Sequence, residues 1–177
     1  LSLFIPPESI AYYHNHIYQA HQTVDLETHL RVTLFAVPIY VGFGSQAADR
    51  TTDYFKRCRR YIELHKGFCR PELAGHPVVY HHTPDIGIFQ PSEWCILEYA
   101  AQDRSRGYAG AFKLANSEGD CLLRLRGVDM DAQYEVNTDN AGQRFRASGR
   151  ELANEGLRLR LDCAMTSELV MYRRLGR

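Results

Sequence analysis

The sequence has no net charge, since 21 Lys and Arg are balanced by 21 Asp and Glu over 177 residues. Nucleic acid rewards a cationic excess, because each neutralised phosphate releases counterions, so nucleic acid is not an expected partner. No run of about 20 apolar residues is present, and a membrane partner drops out with it. The five cysteines, Cys58, Cys69, Cys95, Cys121 and Cys163, are odd in number and contain no Cys-x-x-Cys pair. They fit reduced, mostly buried thiols in a cytoplasmic protein rather than a zinc or redox centre, and no cofactor is expected. A Gly-rich phosphate loop, a Gly-x-Ser-x-Gly elbow and a Cys-His nucleophile signature are missing as well. A complete (β/α)8 barrel needs roughly 250 residues, which leaves no room here for one with a second domain attached. The opening Leu-Ser-Leu-Phe-Ile reads as the interior of a domain, without the zones of a signal peptide, so a fragment is expected.

One absence is positional. All eight His and all seven Pro lie at or before Pro91. Charge does not share that split, because residues 1–90 carry 8 cations and 8 anions and residues 91–177 carry 13 of each. Two structural units are expected, over residues 1–77 and 78–177.

The first unit reads as strand, loop, helix, strand, helix. Leu1 to Ile5 is a short apolar strand stopped by Pro6 and Pro7. Tyr12 to His21 holds three Tyr and three His without helical period and reads as a loop. Asp25 can cap a helix through Leu26, Leu30, Thr33, Leu34 and Val37, ended by Pro38, and Ile39 to Phe43 form a buried strand. Ser45 can cap a second helix from Gln46 to about Lys66, its acids early and its bases late as the helix dipole favours, stopped by Gly67 and Pro71. That alternation belongs to an α/β layer with parallel strands.

From Val78 the period changes to two. Strands are expected at Val78–His81, Cys95–Tyr99, Tyr108–Leu114, Cys121–Arg126, Gln133–Thr138, Arg144–Ala147, Leu157–Leu161 and Glu168–Arg173, one face apolar and one charged. Short strands with turn signals between them and no helices suggest an antiparallel sandwich. The fold class is therefore an α+β composite, a partial (β/α) barrel end followed by an antiparallel β-sandwich.

Candidate chemistry is sparse. His14, His16 and His21, with His81 and His82, could hold a metal, but the spacing is loose, and a metal-dependent enzyme stays open on those histidines alone. The same loop offers Tyr12, Tyr13, Asn15, Tyr18 and Gln19. Loops after parallel strands collect at their carboxyl ends, where α/β barrels place substrate contacts, so His14, His16, Tyr18 and His21 are read as a substrate-binding rim. A buried, hydrogen-bonded domain interface is the other reading of that loop. Arg124, Arg126, Arg144, Arg146, Arg158 and Arg160 could bind anions or sugars, or could cover solvent faces and pair with Glu135, Asp139, Glu151 and Glu155. Glycoside hydrolysis needs two carboxylates about 5 to 9.5 Å apart, and Glu8, Asp25, Asp85 and Glu93 offer no such pair.

The order of these segments resembles the last part of family 36 α-galactosidase-type glycoside hydrolases. Phe4-Ile5-Pro6-Pro7-Glu8, a loop with His14 and His21, the helix from Leu26 with Arg31, the strand to Gly42 and the helix end Tyr61-Ile62-Glu63-Leu64-His65-Lys66 are similar to the close of that family's barrel. Leu125-Arg126-Gly127-Val128-Asp129, Tyr134-Glu135-Val136, Ser148-Gly149-Arg150-Glu151-Leu152 and Gly156-Leu157 resemble its C-terminal β-sandwich. The resemblance implies a retaining α-glycosidase acting on an oligosaccharide or glycoside, with both catalytic aspartates upstream and none in this chain. It implies an upstream barrel domain or a homo-oligomer to cover the partial barrel. Ile5, where Tyr is common, and Pro38 to Gly44, in place of a Gly-rich helix exit, leave another α-linked sugar open as substrate. A non-catalytic carbohydrate-binding or interaction module is the alternative class.

Overall fold

A computed structural model describes residues 9–15, 25–41, 52–71, 75–83, 93–115 and 120–176. The chain divides into two compact units, Leu1–His76 and Pro77–Arg177. The described residues form mostly antiparallel β-sheet, sandwich-like in the second unit, with few helices.

In the first unit, strand β1 (Ala11–Asn15) pairs in parallel with β2 (Val37–Val41). Between them runs α1 (Leu26–Thr33), and α2 (Asp53–Leu64) follows. Sequence reading took Tyr12 and its neighbours for a loop, but Ala-Tyr-Tyr-His-Asn is strand, drawn into the ladder against β-branched Val37, Ile39 and Val41. The strand expected at Leu1–Ile5 lies outside the described residues. Asp25 caps α1 as expected, its Oδ1 accepting the Thr28 N–H at 3.0 Å. The helix ends at Leu34, before Pro38, which sits inside β2. Val37 donates its N–H to Ile10 O at 2.7 Å, and successive N–H groups alternate sides, so the donor that proline lacks would point away from β1. The second helix is described from Asp53 and is capped by Thr52, whose Oγ1 accepts from Phe55 N at 3.3 Å, while Ser45 and the expected start at Gln46 lie outside the described residues. Gly67 does not stop it. The chain continues as a π-helical turn over His65–Cys69. Leu30, Leu34, Cys58, Tyr61 and Cys69 are buried, and α1 packs on β1 and on α2.

In the second unit, β3 (Val78–His81), β4 (Trp94–Ala100), β5 (Arg106–Lys113), β6 (Cys121–Leu123), β7 (Gln133–Thr138), β8 (Arg144–Ser148), β9 (Leu157–Leu159) and β10 (Thr166–Arg174) follow in order. Six of them form one antiparallel sheet in the order β3-β4-β5-β10-β7-β8, and β6 pairs with β9 in a second, two-stranded sheet. A π-helical turn, Glu151–Glu155, precedes β9 where only a turn was expected. The core gathers Trp94, Ile96, Ala109 and Ala111, Val136, Val170 and Tyr172 from the large sheet with Cys121, Leu123 and Leu159 from the small one. The expected alternation holds for β7, whose Tyr134, Val136 and Thr138 point inward. It fails for β5, which is buried along nearly its whole length because it is a central strand.

Candidate functional site

Residues expected to face a substrate follow the carboxyl end of β1. The parallel register runs from Ala11 opposite Val37 to Asn15 opposite Val41, so both strands end on the same side. His14 stands opposite Tyr40 in that register. His16, Tyr18 and His21, and the side chain of His14, lie outside the described residues. The surroundings that are described are neutral and aromatic. Tyr12 meets His29 edge-on, with ring centroids 5.6 Å apart. Thr33 Oγ1 donates to Leu30 O at 2.6 Å, which leaves it to accept from the Tyr40 hydroxyl at 3.3 Å. Burial pushes the Tyr12 and Tyr40 hydroxyls up and holds the His29 imidazole below the usual histidine range.

Two of the four carboxylates weighed for catalysis are described. Asp25 is engaged as the helix cap, Glu93 is exposed, and Glu8 and Asp85 lie outside the described residues. Among the described residues no three His, Cys, Asp or Glu side chains gather to hold a metal ion, and no helix is long and apolar enough to cross a membrane.

A buried carboxylate that sequence reading missed stands in the second unit. Glu98, on β4, is fully buried. Its Oε1 accepts from Gly127 N at 2.8 Å and from the Tyr172 hydroxyl at 2.7 Å. Its Oε2 accepts from Arg126 N at 2.9 Å and lies 2.8 Å from His82 Nε2. A buried charge is tolerable only when hydrogen-bonded, and here both oxygens are engaged twice. Burial first, and the Glu98 charge second, push the Tyr172 hydroxyl well above its ordinary range. Two further buried ions on the core side repeat the device. Glu168 accepts from Asn140 N at 2.6 Å and Ala141 N at 2.9 Å, and Lys113 Nζ donates to Leu161 O at 2.7 Å. Each ion grips the backbone of a turn, which is structural work and leaves no lone pair of Glu98 for a substrate.

The arginine faces are mostly engaged. Arg144 reaches both oxygens of Glu135, at 2.7 and 2.9 Å, as expected. The other partners differ from expectation: Arg158 pairs with Asp120 at 3.2 Å, Arg160 with Asp162 at 3.6 Å, and Arg124 donates to Asn154 O at 2.9 Å. Arg126 lies over the Tyr80 ring, 4.9 Å from its centroid. Glu151 holds Ser148 instead of an arginine.

Residues 94–171, from the start of β4 into β10, match the glycosyl hydrolase family 36 C-terminal domain. The chain resembles the C-terminal part of a family 36 α-galactosidase. Three solved structures carry the same fold. The galactosidase domain of the α-galactosidase-sucrose kinase AgaSK has a TM-score of 0.77 at 15% identity, over 98% of this chain and 23% of its own. The family 36 α-galactosidase AgaA from Geobacillus stearothermophilus has a TM-score of 0.70 at 16% identity, over 96% of this chain and 22% of its own. The α-galactosidase from Lactobacillus brevis has a TM-score of 0.70 at 14% identity, over 97% of this chain and 23% of its own. The chain thus spans less than a quarter of each of these three α-galactosidase chains. No curated protein sequence matches it. The family 36 likeness places the second unit in a glycoside hydrolase context.

Proposed function

We propose that this chain is the C-terminal part of a retaining α-glycosidase of α-galactosidase type, which hydrolyses terminal α-linked sugars in the cytoplasm. The first unit would close a (β/α)8 barrel with β1, α1, β2 and α2, and the second would be the C-terminal sandwich. The observation that carries this reading is the extent of the likeness, 98% of this chain against 23% of AgaSK's galactosidase domain. A retaining mechanism needs two carboxylates about 5 to 5.5 Å apart, one nucleophile and one acid/base, and these would come from residues preceding Leu1. His14, His16, Tyr18 and His21 would stand at the carboxyl end of a barrel strand and donate and accept hydrogen bonds to sugar hydroxyls. AgaA variants have been seen in complex with stachyose and raffinose, which makes an α-galactosyl oligosaccharide the first substrate to try.

The test compares the full-length gene product with this 177-residue chain on a nitrophenyl α-galactoside. The long protein is expected to turn over and the short one is not. Turnover by the short chain that disappears in Asp25→Asn would overturn the placement of the carboxylates. A long protein that binds the sugar without cleaving it would favour the carbohydrate-binding module. In the long protein, His14→Ala and His16→Ala are each expected to weaken sugar affinity about tenfold, a loss of roughly 1.4 kcal/mol. Unchanged affinity would remove the rim.

A further inference from the structure

The far end of α2 carries a feature that the reading above does not use. The helix ends at Leu64, with His65 as its C-cap, and runs on as the π-helical turn His65–Cys69. Such turns are rare and concentrate where a helix does more than pack. His65 is half-buried, and its Nδ1 is buried with no hydrogen-bond partner among the described residues. A neutral imidazole tolerates this, because the tautomer with its proton on Nε2 leaves Nδ1 as an idle acceptor. An imidazolium does not, because both ring nitrogens then carry protons and Nδ1–H has nowhere to donate.

The surrounding charges add to the penalty. Arg70, just past the turn, together with burial, holds the imidazole below the usual histidine range, burial being the larger cause. From α1, Arg31 lies over the Tyr61 ring, 6.0 Å from its centroid and one helical turn before His65. Glu27 of α1 is engaged with Arg57 at 3.4 Å and Arg60 at 3.9 Å. Glu63 pairs with Lys66 at 3.6 Å on the exposed side. Glu63 is thus committed to Lys66 and Glu27 Oε1 to Arg57, whereas the buried Glu27 Oε2 accepts no hydrogen bond among the described residues.

We propose that the junction between α2 and its π-helical turn is an acid-released joint, with His65 as the trigger. With His65 neutral the turn is closed and Cys69 is buried. With His65 charged, the open turn is favoured, because only there can Nδ1–H reach water. Proton binding shifts the population toward whichever state holds the proton better.

Hydrogen exchange of the full chain between pH 7.5 and 5.5, corrected for intrinsic rates, tests this. Protection over residues 61–71 is expected to fall about tenfold more than protection over 133–138, a strand without histidine. His65→Gln and His65→Phe are both expected to abolish that difference, the second with a ring of similar size should the first fold poorly. His29→Gln, which removes the other half-buried imidazole among the described residues of the first unit, should leave it intact. Equal loss in both segments, no acid response in the wild type, or a response that survives both His65 substitutions would overturn the joint.

Discussion

Gly127 has room for a hydrogen and nothing larger. A Cβ there would collide with the Ala100 side chain and come within 2.6 Å of the Tyr172 hydroxyl and 2.9 Å of Glu98 Oε1. Gly127→Ala is therefore expected to cost about 2 to 4 kcal/mol in a urea unfolding experiment, by prising apart the contacts around the carboxylate. Glu98→Gln, which turns one acceptor into a donor facing other donors, should cost about 3 kcal/mol, against about 1 kcal/mol for Tyr172→Phe. Equal, small effects for the two would show that the carboxylate is not the centre of this cluster. Glu98 could have been suspected from sequence, since it is the one charge in the apolar run Trp94 to Ala101. Its partners could not, being 16, 28, 29 and 74 residues away. His29 gives a second expectation. Burial lowers its pKa in the folded state, so the unfolded chain binds the proton more readily. The neutral imidazole's contribution is present above the ordinary histidine range and lost as pH falls below it. The urea midpoint of the wild type should drop between pH 7 and 5, and less so in His29→Gln.

At the scale of elements, caps were legible and interruptions were not. Asp25 was readable because a short acid preceded an apolar stripe, whereas Thr52 was passed over for Ser45, an equally good residue one helical stretch earlier. Asp25→Ala and Thr52→Ala are each expected to cost about 1 kcal/mol, visible as lost helicity and a lower urea midpoint. An unchanged midpoint for Thr52→Ala would mean that the helix starts elsewhere. Strands with one wet face, such as β7, declare themselves by alternation. The central β5, Arg-Gly-Tyr-Ala-Gly-Ala-Phe-Lys, is buried on both sides and shows small residues and aromatics between its terminal Arg106 and Lys113. The π-helical turns have no distinguishing sequence period, so both were missed.

For the whole molecule, the thiols report on packing. Cys163 is exposed, Cys58, Cys69 and Cys121 are buried, and burial pushes the Cys121 thiol up to about 11. A disulfide reagent should titrate Cys163 quickly in the native protein at pH 8 and reach the three buried thiols only on unfolding. Fast reaction of Cys121 would contradict the packing of β6 on β9. The sheet order has a further bearing on how the second unit comes into being. Strand β10 lies between β5 and β7, although it is last in the chain. During synthesis the β4–β5 and β7–β8 ladders emerge first, each with an open edge, and neither can join the other. Only the pairing of β10 with both β5 and β7 makes the two ladders a single sheet.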